Sequence, residues 1–311
     1  MPMLTLVVIC AHTVLMIAAV LVVGRKPIQW AGSAFFLACC FFLQWFAPVD
    51  TSWHAIMAFG GMAALVATIN VAASATTQWS ARLRLLQMLT AGYRIRAGHT
   101  RPVLSVRIIG RFIVEGLVGG AAFLFLRHIA HAQHPPDAVI ALCRMVAGII
   151  LLYTLAEFLK DLVHFCFLAS GAAMRPIHDT PIAARNLRDF WGKRWNRAVS
   201  AWLHRFVFLP LARQHRPDLG LLCACLVSGA LHAWVALVAL GAFAAFELAV
   251  FFGLQGVFIL AEDPLHVHAW PVPLARAWTL TILLATSPSL PSHRNWKEKG
   301  WKFSADLPHG R

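Results

Sequence analysis

The imidazole of His232 stands alone in the run Leu221-Leu-Cys-Ala-Cys-Leu-Val-Ser-Gly-Ala-Leu-His-Ala-Trp-Val-Ala-Leu-Val-Ala-Leu240, which is otherwise almost wholly apolar. An ionisable side chain in the middle of a bilayer-length segment is costly, so it is a functional hypothesis by default. Upstream lies Asn186-Leu-Arg-Asp-Phe-Trp-Gly-Lys-Arg-Trp-Asn196, a polar, Trp-rich block between hydrophobic segments. A buried base beside a polar platform is a site for chemistry on a lipid-soluble substrate. The residues alone leave a second reading open, in which His232 is a core histidine bonded to its surroundings, with Ser228, one turn earlier on the same face, as partner.

The platform carries its own pattern. Leu187, Trp191, Trp195, Ala198, Trp202 and Phe206 recur at steps of three and four, which predicts one helix with an apolar, indole-rich stripe. Asn186, Asp189, Lys193, Arg197 and His204 fall on roughly the opposite side, with Asp189 and Lys193 spaced as a favourable i, i+4 acid–base pair. Pro181 precedes this helix and Pro210 closes it. Such a helix lies in the membrane interface with its tryptophans at headgroup depth, and a plain amphipathic anchor accounts for the same pattern. Asn196 sits at the edge between the two faces, where a carboxamide can donate to a carbonyl oxygen and accept from a ring N–H.

The elements that must position these groups follow from composition. Of 311 residues, 59% are hydrophobic and 13% charged, whereas a soluble domain is about 45–50% apolar and about 25% charged. The chain is therefore expected to be an all-α polytopic membrane protein of about eight transmembrane helices with interfacial amphipathic helices, one membrane domain over residues 1–311. A span needs about 20 mostly apolar residues. The candidates are Met3–Val23, Gln29–Ala47, Ala55–Ala73, Ile108–Ile129, Ala138–Phe158, Leu219–Leu240, Ala242–Leu260 and Pro273–Thr286, with Leu162–Ala169 as a short further piece. Met3–Val23 lacks a basic n-region and a small-residue cleavage site, so it reads as a first span with an outside N-terminus. The net charge of +14 lies in loops between spans, which fits membrane topology and anionic headgroups rather than nucleic acid. The basic stretches 75–107 and 171–217 are accordingly expected on the cytoplasmic side, the first of them as an interfacial helix over Trp79–Arg107.

Other polar sets read as structural. Arg111 and Glu115 are spaced to neutralise each other, Glu157, Lys160, Asp161 and His164 share a face at a snorkelling helix end, and Glu262-Asp263-Pro264 marks a helix end. The seven cysteines all lie in apolar stretches and show no metal-type pair. His128, His131 and His134 fan around a helix too broadly for a metal site. No Gly-rich phosphate loop, G-x-S-x-G elbow or H-E-x-x-H motif is present, which removes serine-hydrolase and zinc-protease readings.

Three motifs in order, Asn186-Leu-Arg-Asp-Phe-Trp-Gly-Lys-Arg-Trp-Asn196, Val227-Ser-Gly-Ala-Leu-His232 and Phe251-Phe-Gly-Leu-Gln-Gly-Val257, resemble the wax synthase branch of the membrane-bound O-acyltransferases. The resemblance covers residues 186–263, a catalytic region within the membrane domain. It implies transfer of an acyl group from acyl-CoA to the hydroxyl of a lipid alcohol, as in wax ester synthesis (the EC 2.3.1 class), with His232 and Asn196 catalytic. Asn186, Asp189, Trp191, Trp195 and Ser228 are expected to support the site or bind substrate, and Arg188, Lys193, Arg194 and Arg197 to hold the CoA phosphates. Neither cofactor nor metal is expected; acyl-CoA is a cosubstrate, and the partners are a hydrophobic alcohol and membrane lipids. One departure stands out: Ala233 occupies a position where wax synthases often carry an acid after the histidine, which puts the orientation of the ring in question. Two other functions compete. One is transfer of an acetyl or short acyl group to a sterol, terpenoid or polyketide hydroxyl. The other is non-catalytic lipid binding or transport, for which the chain lacks the internal repeats or paired broken helices common in transporters.

Overall fold

A segment of about 20 apolar residues inside a bilayer must satisfy its backbone N–H and C=O groups within itself, and it does so as a helix. The computed structural model describes residues 2–24, 26–46, 51–73, 81, 84, 85, 88, 96, 97, 106–131, 138–169, 172, 173 and 177–288. Among these residues seven helices are long and apolar enough to cross a membrane: α1 (Pro2–Val22), α2 (Pro27–Phe46), α3 (Thr51–Ala73), α4 (Val106–His131), α5 (Ala138–Ala169), α9 (Pro217–Leu240) and α10 (Ala242–Ala261). The platform lies between α5 and α9. It consists of α6 (Leu187–Asp189), α7 (Arg197–Leu203) and α8 (Leu209–Ala212), interleaved with π turns over Phe190–Arg194 and His204–Phe208. The chain is an all-α multi-pass membrane protein; the described strands are a two-residue antiparallel pairing of Arg96–Ala97 with Ala172–Ala173. Two expectations are adjusted. The eighth candidate span is a helix, α11 (Val272–Ala285), of only 14 residues, and Leu162–Ala169 simply continues α5. Most of Trp79–Arg107 lies outside the described residues, as does His134, but Arg84 within that stretch donates to the carbonyls of Leu21 (3.1 Å) and Val23 (2.8 Å) and so closes the end of α1.

Internal contacts divide the described residues into two units, one within Met1–Pro102 and Val163–Pro288 and the other within Val103–Leu162. In the first, α1, α2 and α3 pack through Ala19, Val20, Leu37, Ala64 and Ala67. A buried amide ties them to α9: Gln44 Nε2 donates to His12 Nε2 and to the Met57 carbonyl, both at 3.0 Å. Gln44 Oε1 accepts from Trp234 Nε1 at 3.2 Å. Trp234 follows His232 by two residues and projects from the other side of α9, so that side is held by α2 while the histidine side is left for the site.

Helices α9 and α10 run antiparallel in close contact. A Cβ on Gly256 would stand 3.1 Å from Cys225 Cβ, so a larger side chain would push the helices apart. The reversal between them takes one residue, Gly241, at φ 94° and ψ 177°, a conformation essentially reserved for glycine. Gly241→Ala is therefore expected to cost about 1–3 kcal/mol, seen as a lower thermal unfolding midpoint in detergent; an unchanged midpoint would contradict this account of the turn.

In the second unit, an exposed arginine and buried charges on α5 form a network instead of the arrangement expected from spacing. Arg111 grips Asp161, Nε to Oδ2 at 3.0 Å and Nη2 to Oδ2 at 2.7 Å, and meets its expected partner Glu115 only at 3.5 Å. Lys160 pairs with Glu157 and with Asp161. Glu157, Lys160 and Asp161 are all buried, so this is no snorkelling helix end. Charges in an apolar setting pair with one another because each alone would be prohibitive, and the cross-helix partner, Asp161, is the one that sequence spacing could not supply.

Candidate active site

The platform begins with three helical N–H groups that lack intrahelical partners, as every helix start does. Asn186 Oδ1 accepts from Asp189 N (2.6 Å). The other two are taken by a residue from the end of α10: Glu262 Oε1 accepts from Leu187 N at 2.6 Å and Oε2 from Arg188 N at 3.2 Å. Trp278 Nε1 of α11 donates to the same carboxylate at 3.3 Å. Glu262 thus marks a helix end, as expected, and also ties together platform, α10 and α11. Burial pushes its carboxyl up from the ordinary glutamate value, and the N–H bonds from Leu187, Arg188 and Trp278 pull it back down.

After α6 the backbone widens into a π turn, in which Trp195 N donates to Phe190 O at 2.8 Å, five residues back. The wider turn changes which side chains meet. Asp189 pairs with Arg194, Nε to Oδ2 at 2.7 Å, rather than with Lys193, the partner predicted by regular helical spacing. The single interfacial helix expected over the platform is likewise corrected: it breaks at Trp195, which is extended, and Asn196, which is left-handed at φ 38°. Two backbone bonds from the segment before the platform hold the break open, Asp179 N to Arg194 O (2.9 Å) and Arg197 N to Ile177 O (2.8 Å). Trp195 lies between parallel rings, with His178 at 4.6 Å and Phe190 at 5.8 Å.

Asparagine suits this break on two counts. It tolerates the left-handed conformation better than most residues, and its Oδ1 accepts from Val199 N at 3.3 Å, capping α7. The cap commits the amide oxygen. The amide nitrogen, a double donor, has no partner among the described residues.

His232 presents the complementary chemistry. Its Nδ1 lies 2.8 Å from the Ser228 carbonyl oxygen. A carbonyl only accepts, so Nδ1 carries the hydrogen and the neutral ring exposes the Nε2 lone pair. Ser228 is the partner that the sequence indicated, but through its backbone rather than its hydroxyl. This bond also answers the question raised by Ala233, since the ring is oriented without a following acid. Phe252 packs on the imidazole at 4.5 Å between centroids.

His232 and Asn196 line the same cavity, of about 360 Å³, between the platform, α9 and α10. Arg188, Trp191, Trp195 and Ser228 share its wall, and so does His204, placed by the sequence on the far side of the platform. Asn186, Asp189, Lys193, Arg194 and Arg197 do not line it. The basic residues expected at phosphates have other engagements: Arg188 pairs with Asp263 at 2.7 Å, Arg194 with Asp189, and Arg197 with Asp179 at 3.5 Å. Lys193 is exposed and has no partner among the described residues.

Two positions that shape the candidate site do not stand out in the sequence. Gln255 is fully buried, lines the cavity and accepts from Trp191 Nε1 at 3.0 Å. The rule that singled out His232, a polar group in an apolar span, applies to it equally. Glu262 was visible only as a helix end, because its partners at 187 and 188 lie far away in sequence. No group of three or more metal-binding side chains gathers among the described residues.

Residues 174–254 match the Membrane bound O-acyl transferase family, a segment that starts before and ends inside the region delimited by the motifs. The chain is similar to three Arabidopsis thaliana proteins. It is 32% identical to "Probable long-chain-alcohol O-fatty-acyltransferase 7" over 42% of both chains. It is 36% identical to "Probable long-chain-alcohol O-fatty-acyltransferase 3" over 31% of this chain and 30% of that one. To "Probable long-chain-alcohol O-fatty-acyltransferase 1" it is 26% identical over 50% and 54%. The matches span 30% to 54% of the length of these relatives.

Proposed function

We propose that this chain, whose segment 174–254 matches the Membrane bound O-acyl transferase family, moves an acyl group from acyl-CoA to the hydroxyl of a long-chain lipid alcohol and releases a wax-type ester. One observation carries the reading: a histidine with Nδ1 committed and Nε2 open shares a cavity with an asparagine whose amide donors are open. The names of the relatives favour a long-chain alcohol as acceptor.

The chemistry balances with these groups alone. Nε2 of His232 takes the alcohol proton as the alcohol oxygen attacks the thioester carbonyl carbon. Negative charge moves to the carbonyl oxygen, where the Asn196 amide N–H donates to it. The C–S bond then breaks, the carbonyl reforms as the ester, and the imidazolium returns its proton to the leaving thiolate. The mainly apolar lining of the cavity disfavours water beside the thioester. The site end of α10 and the start of the platform are joined through Glu262, and we place both, with the basic stretches 75–107 and 171–217, on the cytoplasmic side where acyl-CoA is available.

Lys193 is the cation best placed by its freedom to meet a CoA phosphate, while Arg188, Arg194 and Arg197 keep the platform's shape. Lys193→Gln is expected to weaken acyl-CoA affinity by a small factor that shrinks as salt rises, with turnover at saturation unchanged. Arg194→Gln is expected to lower the unfolding midpoint instead. An identical acyl-CoA titration for Lys193→Gln and wild type would move the phosphate site elsewhere.

The function is tested by giving the purified protein acyl-CoA and a long-chain alcohol in detergent or vesicles. The expected result is release of free CoA thiol that depends on the alcohol, with one ester formed per thiol. Thiol release independent of the alcohol, or none with any donor and acceptor, would overturn it.

A further inference from the structure

The buried face of α10 that carries Gln255, Ile259 and Glu262 docks both the platform and α11. Gln255 accepts from Trp191 Nε1 at 3.0 Å and donates through Nε2 to Thr286 Oγ1 at 2.7 Å; that hydroxyl in turn donates to the Ile282 carbonyl at 2.7 Å. Ile259 packs with Leu187 and Ile282. Both amide ends of Gln255 are thus engaged in one orientation, and its oxygen sets the position of the Trp191 indole.

Trp191 occupies a decisive place in the cavity. Its ring packs on Phe252 at 5.5 Å, and Phe252 packs on His232. Along α9, the lining residues run from Leu221 to His232. The single phenyl ring of Phe252 therefore separates the pinned indole from the imidazole. On the side of the indole away from Phe252, Trp191 shares the Leu187, Ile259 and Ile282 cluster with Leu221, another lining residue. A molecule that fills the cavity lies against this ring, one phenyl away from the imidazole. Tryptophan is the bulkiest side chain available for the purpose, and a hydrogen bond to a buried amide keeps it from swinging away.

We propose that Trp191, held by Gln255 and Thr286, is a fixed gate that sets the largest hydrocarbon chain able to reach His232. Gln255 is a positioning residue, and Trp191 determines specificity. The gate rests on the acyltransferase reading for its consequence in the reaction, but as a size limit on an apolar ligand it stands apart from that reading. The chain that meets it is the acyl group of the donor or the alkyl group of the acceptor, two hydrocarbons of the same chemistry.

The test varies donor and alcohol length independently in wild type, Trp191→Ala, Trp191→Phe and Gln255→Leu. Trp191→Ala is expected to raise the ratio of long-chain to short-chain rates by roughly tenfold or more, the scale of one extra methylene in an apolar pocket. The series in which the shift appears, donor or alcohol, identifies the gated chain. Trp191→Phe, which keeps a ring but loses the N–H, should shift less, and Gln255→Leu should broaden the length profile without moving its optimum. A second readout needs no catalysis: stabilisation of the protein by saturated alcohols and fatty acids of increasing length, read as a shift in unfolding midpoint. In wild type it should fall off beyond a limiting length, and in Trp191→Ala that limit should lie further out. Movement of the limit in a protein that forms no ester would keep the gate and refute the reaction. The same limit and the same length profile in wild type and Trp191→Ala, or a uniform loss at every length in Trp191→Ala and Gln255→Leu alike, would overturn the gate.

Discussion

Replacing His232 with glutamine is expected to lower ester formation by roughly 10²–10⁴-fold, the range for a positioned general base, while the protein still folds and inserts. The substitution isolates the proton transfer. A glutamine amide can keep donating to the Ser228 carbonyl, as Nδ1 does at 2.8 Å, but offers no nitrogen lone pair to take a proton. The loss should fall on turnover, with the acyl-CoA concentration for half-maximal rate little changed. Equal rates for His232→Gln and wild type, with membrane insertion verified in both, would remove His232 from the chemistry.

Asn196→Asp is expected to lower turnover by roughly 10²–10³-fold, as for loss of one donor to an oxyanion, with the unfolding midpoint nearly unchanged. Aspartate preserves everything structural that Asn196 does. It caps a helix as well as asparagine does, so the bond from Val199 N survives, and it tolerates the left-handed backbone at φ 38°. What it removes is the amide N–H, and its negative charge repels the developing oxyanion. Asn196→Ala is the contrasting variant: it should lose stability as well, by about 1 kcal/mol for a missing cap. Full activity in Asn196→Asp would confine the residue to capping.

Much of this arrangement is legible in the amino-acid sequence. The spans are legible because a bilayer demands long apolar runs, and seven of the eight became helices of the required length. His232 was legible because a lone imidazole in such a run is expensive. What stayed hidden depends on contacts between distant segments. The break at Trp195–Asn196 is held by Ile177 and Asp179, and no periodicity within the platform announces it. The π turn that brings Arg194 instead of Lys193 to Asp189 ends at that break. Glu262 reaches the platform's first N–H groups across most of the catalytic region, and Asp161 reaches Arg111 across two helices. Gln255 is a different case: its polarity within an apolar span was in plain view, and only its partners Trp191 and Thr286 required the fold.

The central claim is that this membrane protein makes an ester through His232. It is tested most directly by mass spectrometry of total lipids from a host expressing either the wild type or His232→Gln at equal membrane abundance. The account predicts fatty-acyl esters of long-chain alcohols in the wild-type extract and their loss to the level of the empty host in the variant. Equal amounts of the same esters in both extracts would contradict it.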